Sequence, residues 1–399
     1  MFARRLLLLI PLVAVPVVRA DSAVPGQLER IAPAMQKFVD SHDLSGAVAV
    51  VGRSDGFTHY TVVGSRDLAA KEPMQRDTLF RIASMTKPVT ALGIMILADE
   101  GKLNPDDDVA KYLPEFTGQM LVGEKGKDTL TLKKPARPVK LRDLLTHTGG
   151  LAAYPIGVDD VYAKRNRTLA ETTLAAALRP LEFEPGSKWA YSNSGIDTLG
   201  RVIEVVSGES FEAFLKKRVF DPLGMTDTVF YPNPDQMKRL AVTYGKTGDS
   251  LTATPNPPIG LPPHPKHPIP AGGLISCGPD LAKLYRMMLH KGALDGHRIL
   301  SEKAVAEMTR TQTGDIKTGF TEGMSYGFGW AVVKEPKGVT SMLSAGTYGH
   351  GGAFGTQAWV DPQKDLFVVL LIQRTGLANG DASPMRQALQ ELAVTATKK

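Results

Sequence analysis

Hydrophobic residues change their rhythm twice along this chain. Near the start, Leu28, Ile31, Met35, Phe38 and Val39 recur at the spacing of one helical face, which predicts a helix over residues 27–39 with Pro33 as a kink or first-turn residue. Residues 46–51 are then apolar without interruption and read as a strand. Residues 59–63 are its hairpin partner across a Gly-rich turn at 52–56. From Ser84 to about Leu289 the pattern is mostly helical, with long irregular connections such as the proline-rich run 256–270. The last hundred residues become strand-like again at 326–333, 356–360 and 366–372, and a helix over about 384–394 closes the chain. Strands at both ends around a helical insert predict one sheet built from both termini, with a mostly helical lobe between. The expected organisation is an α/β part over about 21–83 and 290–399 and a helical lobe over about 84–289.

Composition changes this picture little. With 399 residues, 43% of them hydrophobic and 22% charged, the chain suits a globular protein of one large composite domain or two subdomains. The net charge of +6 is scattered rather than striped, and no motif supports a nucleic-acid partner. The N-terminus stands apart. Arg4 and Arg5 precede a short apolar run to Val18, broken by Pro11 and Pro16, and Ala20 follows. That order predicts a secretory signal peptide over 1–20, cut near Ala20, and hence a secreted or periplasmic protein; an uncleaved anchor is the alternative. No later run is long and apolar enough to span a membrane. Cys277, the single cysteine, excludes an internal disulfide and reads as a packing residue.

Candidate chemistry begins at Ser84-Met85-Thr86-Lys87, which opens an apolar helical run and places a hydroxyl and an amine on one helix face. An alcohol needs a base to act as a nucleophile, and a desolvated lysine can be that base. A second cluster, Tyr191-Ser192-Asn193, presents a phenol and an amide ahead of a helix expected over 196–206. The third, from Tyr348 through His350, Gly351, Gly352 and Ala353 to Gly355, is a small-residue run opening onto a strand. Its glycines allow a substrate carbonyl close to the backbone, where an N–H can share an oxyanion hole with that of Ser84. Ser54 sits in a Gly-x-Ser-x-Gly pattern, but a strand rather than a helix follows it, so it is not taken as a nucleophile. His264 and His267 lack a third ligand, and neither a metal nor a cofactor is expected.

Together these three clusters resemble the serine beta-lactamase and penicillin-binding-protein superfamily. The likeness is nearest to the branch of class C beta-lactamases, D,D-peptidases and family VIII carboxylesterases. Residues 144–151, Pro185-Gly186, 222–225, 271–274 and 326–330 resemble that branch in the same order. The resemblance implies an α+β fold of the beta-lactamase/transpeptidase type, an antiparallel sheet flanked by helices beside a mostly helical lobe. It implies Ser84 as the acylated nucleophile, with Lys87 and Tyr191 sharing the acid/base work. Asn193 would orient substrate and Lys87, and the N–H groups of Ser84 and Ala353 would form the oxyanion hole. His147 falls in a stretch that the resemblance marks as structural. Where beta-lactamases usually carry lysine in the third motif, this chain has His350, mostly neutral at pH 7 if unperturbed. Weaker anchoring of a substrate carboxylate favours neutral esters, which implies a carboxylesterase acting on short-chain esters. A D,D-carboxypeptidase, D-aminopeptidase or weak beta-lactamase would use the same residues. A non-catalytic receptor for cell-wall peptides or lactams is the alternative outside enzymes.

Overall fold

The computed structural model describes residues 26–397 apart from 156 and 158, so the expected signal peptide lies outside the described residues. The first amphipathic segment forms a short helical turn at Leu28–Arg30 and then helix α1, Ile31–Asp40. Pro33 falls in the first turn of α1, where its missing N–H breaks no helical hydrogen bond. Next comes strand β1, Gly46–Gly52, buried at all seven positions. An uninterrupted apolar strand is what a sheet covered on both faces requires. Ala47, Ala49 and Val51 pack with Leu28, Ile31 and Met35 on one side. Val48 and Val50 join the larger core on the other.

Strands β2 (Thr58–Asp67) and β3 (Glu72–Pro73) follow β1. Five more come from the far end of the chain: β4 (Met324–Tyr326), β5 (Ala331–Val333), β6 (Tyr348–Gly351), β7 (Gln357–Asp361) and β8 (Leu366–Leu371). They form one eight-stranded sheet in the order β4-β5-β6-β7-β8-β1-β2-β3, antiparallel at every junction. The two termini meet where Val50 on β1 faces Val369 on β8. The segment read as one strand over 326–333 is instead a hairpin. Gly329 turns the chain at φ 77°, and its N–H donates to Leu145 O at 2.9 Å. Ser54 lies in the connection between β1 and β2, with no helix behind it.

The larger core carries helices α2 (Thr86–Asp99), α3 (Leu169–Ala177), α4 (Asn193–Ser207) and α5 (Gly278–Leu289). Closing helix α6, Pro384–Thr397, packs beside α1 on the opposite face of the sheet. Every residue of α2 from Thr86 to Leu97 is buried, which explains a helix apolar on all sides. It packs against α4, and α5 packs across β1 and β8. A short pairing of Phe80–Arg81 with Ile275–Ser276 ties the approach to α2 to the end of the proline-rich connection. Cys277 is 1% exposed and leads into α5, in keeping with packing. This is an α+β protein, and no helix among the described residues is long and apolar enough to cross a membrane.

Candidate active site

Ser84 sits in a tight helical turn, Ala83–Met85, directly ahead of α2. Ala83 is held at φ 45°, a left-handed conformation that is costly for a residue with a Cβ. The Ile82 N–H donates to Leu274 O at 3.0 Å, which anchors this turn from the neighbouring strand pair. Lys87, in the first turn of α2, is fully buried. Its Nζ donates to Ser84 Oγ at 3.0 Å and to Ala271 O at 2.7 Å. Desolvation penalises the ammonium and pushes Lys87 down to about 7, against the opposing pull of Asp197. A lysine so placed has the geometry and proton affinity needed to take a proton from Ser84 near neutral pH.

Asp197 was not among the residues expected from sequence. It lies one turn beyond Asn193 on the buried face of α4, between core residues Ile196 and Leu199. Its Oδ2 accepts from the Tyr162 hydroxyl at 2.7 Å and its Oδ1 from the Ala271 N–H at 2.9 Å. Burial holds Asp197 above the usual carboxylate range, while Tyr162, Ala271 and Lys87 pull it back. Polar Ser194 and Thr198 are buried beside it on the same helix, so no apolar face singled this acid out in sequence. Ala271 thus touches both charges, its N–H on Asp197 and its carbonyl on Lys87.

Tyr191 and Asn193 stand at the entrance to α4. The helix starts at Asn193 rather than at 196, because Ser192 Oγ caps it by accepting from the Gly195 N–H at 3.0 Å. Lys87 Nζ lies 4.6 Å from the centroid of the Tyr191 ring. Burial pushes the Tyr191 phenol well above its ordinary value, and a hydrogen bond with Ser84 works the other way. The free site therefore holds a neutral phenol at pH 7. His147 packs its ring 4.5 Å from that of Tyr191. Its Nδ1 accepts from the Ser192 N–H at 3.2 Å, so it supports the loop from behind. Among the described residues Lys87 Nζ does not bond the Asn193 amide, which lines the cavity instead.

The third cluster lies on β6 and the turn after it. His350 Nδ1 pairs with Gly351 O at 2.6 Å and Nε2 with the Tyr326 hydroxyl at 2.8 Å. A carbonyl can only accept, so Nδ1 carries the proton and Nε2 accepts from Tyr326. Burial, followed by the charge of Lys87, takes His350 down to about 4. The ring is neutral at pH 7, and both nitrogens are occupied within the protein. Gly351, Gly352 and Ala353 face Ser84 and Tyr191 across a cleft of about 430 Å³. Tyr154 and Tyr162, Pro258 and Ile259 of the proline-rich connection, Phe320, and the segment Leu377 to Asp381 complete its wall. Phe320 stacks edge-on against Tyr191 at 5.1 Å. The segment 377–381 carried no sequence signal.

The chain can now be set beside known proteins. A family model described as Beta-lactamase matches residues 31–392. Esterase EstB of Burkholderia gladioli is 29% identical over 378 residues, covering 87% of this chain and 90% of its own. A putative D-alanyl-D-alanine carboxypeptidase of Escherichia coli K12 is 30% identical over 315 residues, covering 74% of this chain and 68% of its own. Among solved structures, EstCE1, described as a hydrolase with promiscuous acyltransferase activity, superposes with a TM-score of 0.75 at 26% identity, covering 93% of this chain and 98% of its own. A match across nearly the whole described chain, on a fold that sets Ser84 and Tyr191 on one cleft with Lys87 buried behind Ser84, makes this protein a member of the beta-lactamase family.

Proposed function

We propose that this protein is a serine hydrolase that forms an acyl-enzyme on Ser84 and that its substrates are short-chain carboxylic esters. The observation that carries the reading is the 3.0 Å contact between Ser84 Oγ and a fully buried Lys87 whose amine is partly unprotonated at neutral pH. In acylation, neutral Lys87 takes the Ser84 proton as Oγ bonds to the ester carbonyl carbon. The oxyanion turns toward the N–H groups of Ser84 and Ala353. When the C–O bond of the ester breaks, Tyr191 protonates the departing alkoxide and recovers a proton from Lys87. Water then attacks the acyl-enzyme by the same route in reverse, releasing the acid and restoring Ser84. Asn193, Gly351 and Gly352 provide polar and close-approach surface for the acyl group.

The state of His350 supports esters over lactams. A neutral imidazole already bonded at both nitrogens offers no cation to a substrate carboxylate. The esterase relative from Burkholderia gladioli supports the same choice. A D,D-carboxypeptidase is the second reading, favoured by the Escherichia coli relative. Export by the N-terminal leader, residues 1–20, completes the proposal. The test is turnover of p-nitrophenyl acetate and of nitrocefin by wild type and Ser84→Ala. Ester turnover exceeding lactam turnover, lost in Ser84→Ala, is expected. Ester turnover that persists in Ser84→Ala would refute the reading.

A further inference from the structure

We infer that Asp381 makes the cleft select against substrates carrying a negative charge near the scissile carbonyl and favour neutral or cationic ones; this rests on the hydrolase reading of Ser84. Among the described residues that line the cleft there is no lysine or arginine, and Asp381 is the one acid. Lys87 lies buried behind Ser84 rather than on the wall. Asp381 belongs to a short helical turn, Gly380–Ala382, just ahead of α6. Its N–H donates to Asn379 Oδ1 at 3.0 Å, and its Oδ1 accepts from Gln357 Nε2 at 3.0 Å. That carboxylate oxygen rests against Gly351, where any Cβ would overlap it. The charge is therefore pinned to the strand edge that the substrate carbonyl must approach.

Of the groups facing Asp381, one is a cation, Arg386, and it offsets part of this field. His350 is kept neutral by burial, followed by the charge of Lys87, with its ring nitrogens paired to Gly351 O and the Tyr326 hydroxyl. Arg386 approaches from α6, donates from Nη1 to the backbone carbonyl of Asp381 at 2.5 Å, and stacks 3.9 Å over the Trp359 ring. Arg386 and Asp381 both border a small recess behind Tyr326 and His350, and of the two only Asp381 also lines the cleft. The field of Asp381 still reaches the reacting groups, raising both Tyr191 and His350. Ser84 and Asp381 line one cleft of about 430 Å³, so a charge on the bound ester shares that space with Asp381, and salt screens the pair over a Debye length of about 10 Å at about 0.1 M.

The experiment compares kcat/KM for three p-nitrophenyl esters: neutral pentanoate, anionic hemisuccinate and cationic trimethylglycinate. Wild type should disfavour the hemisuccinate. Asp381→Asn should raise the hemisuccinate-to-pentanoate ratio roughly tenfold and lower the trimethylglycinate ratio, whereas Asp381→Glu should keep the wild-type order. In wild type alone, raising salt from about 0.01 M to about 1 M should lift the hemisuccinate ratio, a readout that survives if the asparagine variant fails to fold. Pentanoate turnover with a hemisuccinate ratio indifferent to both salt and Asp381→Asn overturns the inference and leaves the hydrolase reading standing. Absence of turnover on all three esters defeats that reading and this inference with it.

Discussion

Replacing Asp197 by asparagine tests whether the buried carboxylate sets the basicity of Lys87. Asparagine keeps the shape and can still accept from the Ala271 N–H, but it removes the negative charge that raises Lys87. Two unit charges a helical turn or so apart interact by about 1–3 kcal/mol at an effective dielectric of about 20, equivalent to about 1–2 pKa units. The sign is fixed: without the carboxylate the ammonium is less favoured, so Lys87 moves below its present value near 7. The limb of kcat/KM that rises with pH, which reports deprotonation of the base in the free enzyme, should shift about 1–2 units toward acid. A weaker base also pulls the serine proton less strongly, so the plateau should fall by roughly three- to thirtyfold. Tyr162→Phe removes one hydrogen bond to the same carboxylate and should shift the limb the same way by less. The assay is a pH series of p-nitrophenyl acetate hydrolysis, with circular dichroism to confirm the fold. An acid limb that stays in place while the plateau falls would refute the electrostatic coupling and leave Asp197 a packing role.

Two further outcomes follow from the geometry. His350→Lys should raise the nitrocefin-to-ester ratio several-fold, because it places a cation where the neutral ring now sits. It should also cost about 1–3 kcal/mol in urea unfolding, since Tyr326 loses its acceptor and an ammonium is buried; an unchanged ratio removes the argument from charge. Gly329→Ala should destabilise the fold by about 2–5 kcal/mol in the same measurement, because φ 77° disfavours a Cβ and that Cβ would overlap Ala91 on α2. Unchanged stability would mean that the turn before β5 can be rebuilt at little cost.

The parts of the fold legible in sequence are those where one local pattern has one structural answer. An apolar run such as 46–51 becomes a strand covered on both faces, and the spacing in 27–39 becomes a helix with a single buried stripe. Ser84, Lys87, Tyr191 and His350 were nameable because each belongs to a short motif whose residue types state their chemistry. The hairpin within 326–333 was not legible. Apolar residues on both sides of Gly329 look continuous until the N–H of Gly329 finds Leu145 O, a partner far away in sequence. Asp197, Tyr162 and Asp381 were missed for the same reason. A charge acquires a role only from what the tertiary structure sets beside it, and their partners Ala271 and Gln357 are distant in the chain.

The proposed ester activity places two opposed electrostatic demands on the residues around Ser84. A buried lysine can act as a base only if its ammonium is not too stable, and burial alone would destabilise it beyond use. Asp197 supplies the compensation from behind, on the side of α4 that no substrate reaches. The substrate side is built in the opposite sense, with a neutral histidine, a neutral phenol and one outward acid. A cation placed there to hold a carboxylate would also stand near Lys87 and lower its proton affinity further, just as the charge of Lys87 already lowers that of His350. Binding anionic substrates and keeping Lys87 basic are therefore competing demands in so small a cleft. The charges of this cleft suit the second demand rather than the first, which is the ground for the proposed preference for uncharged acyl groups.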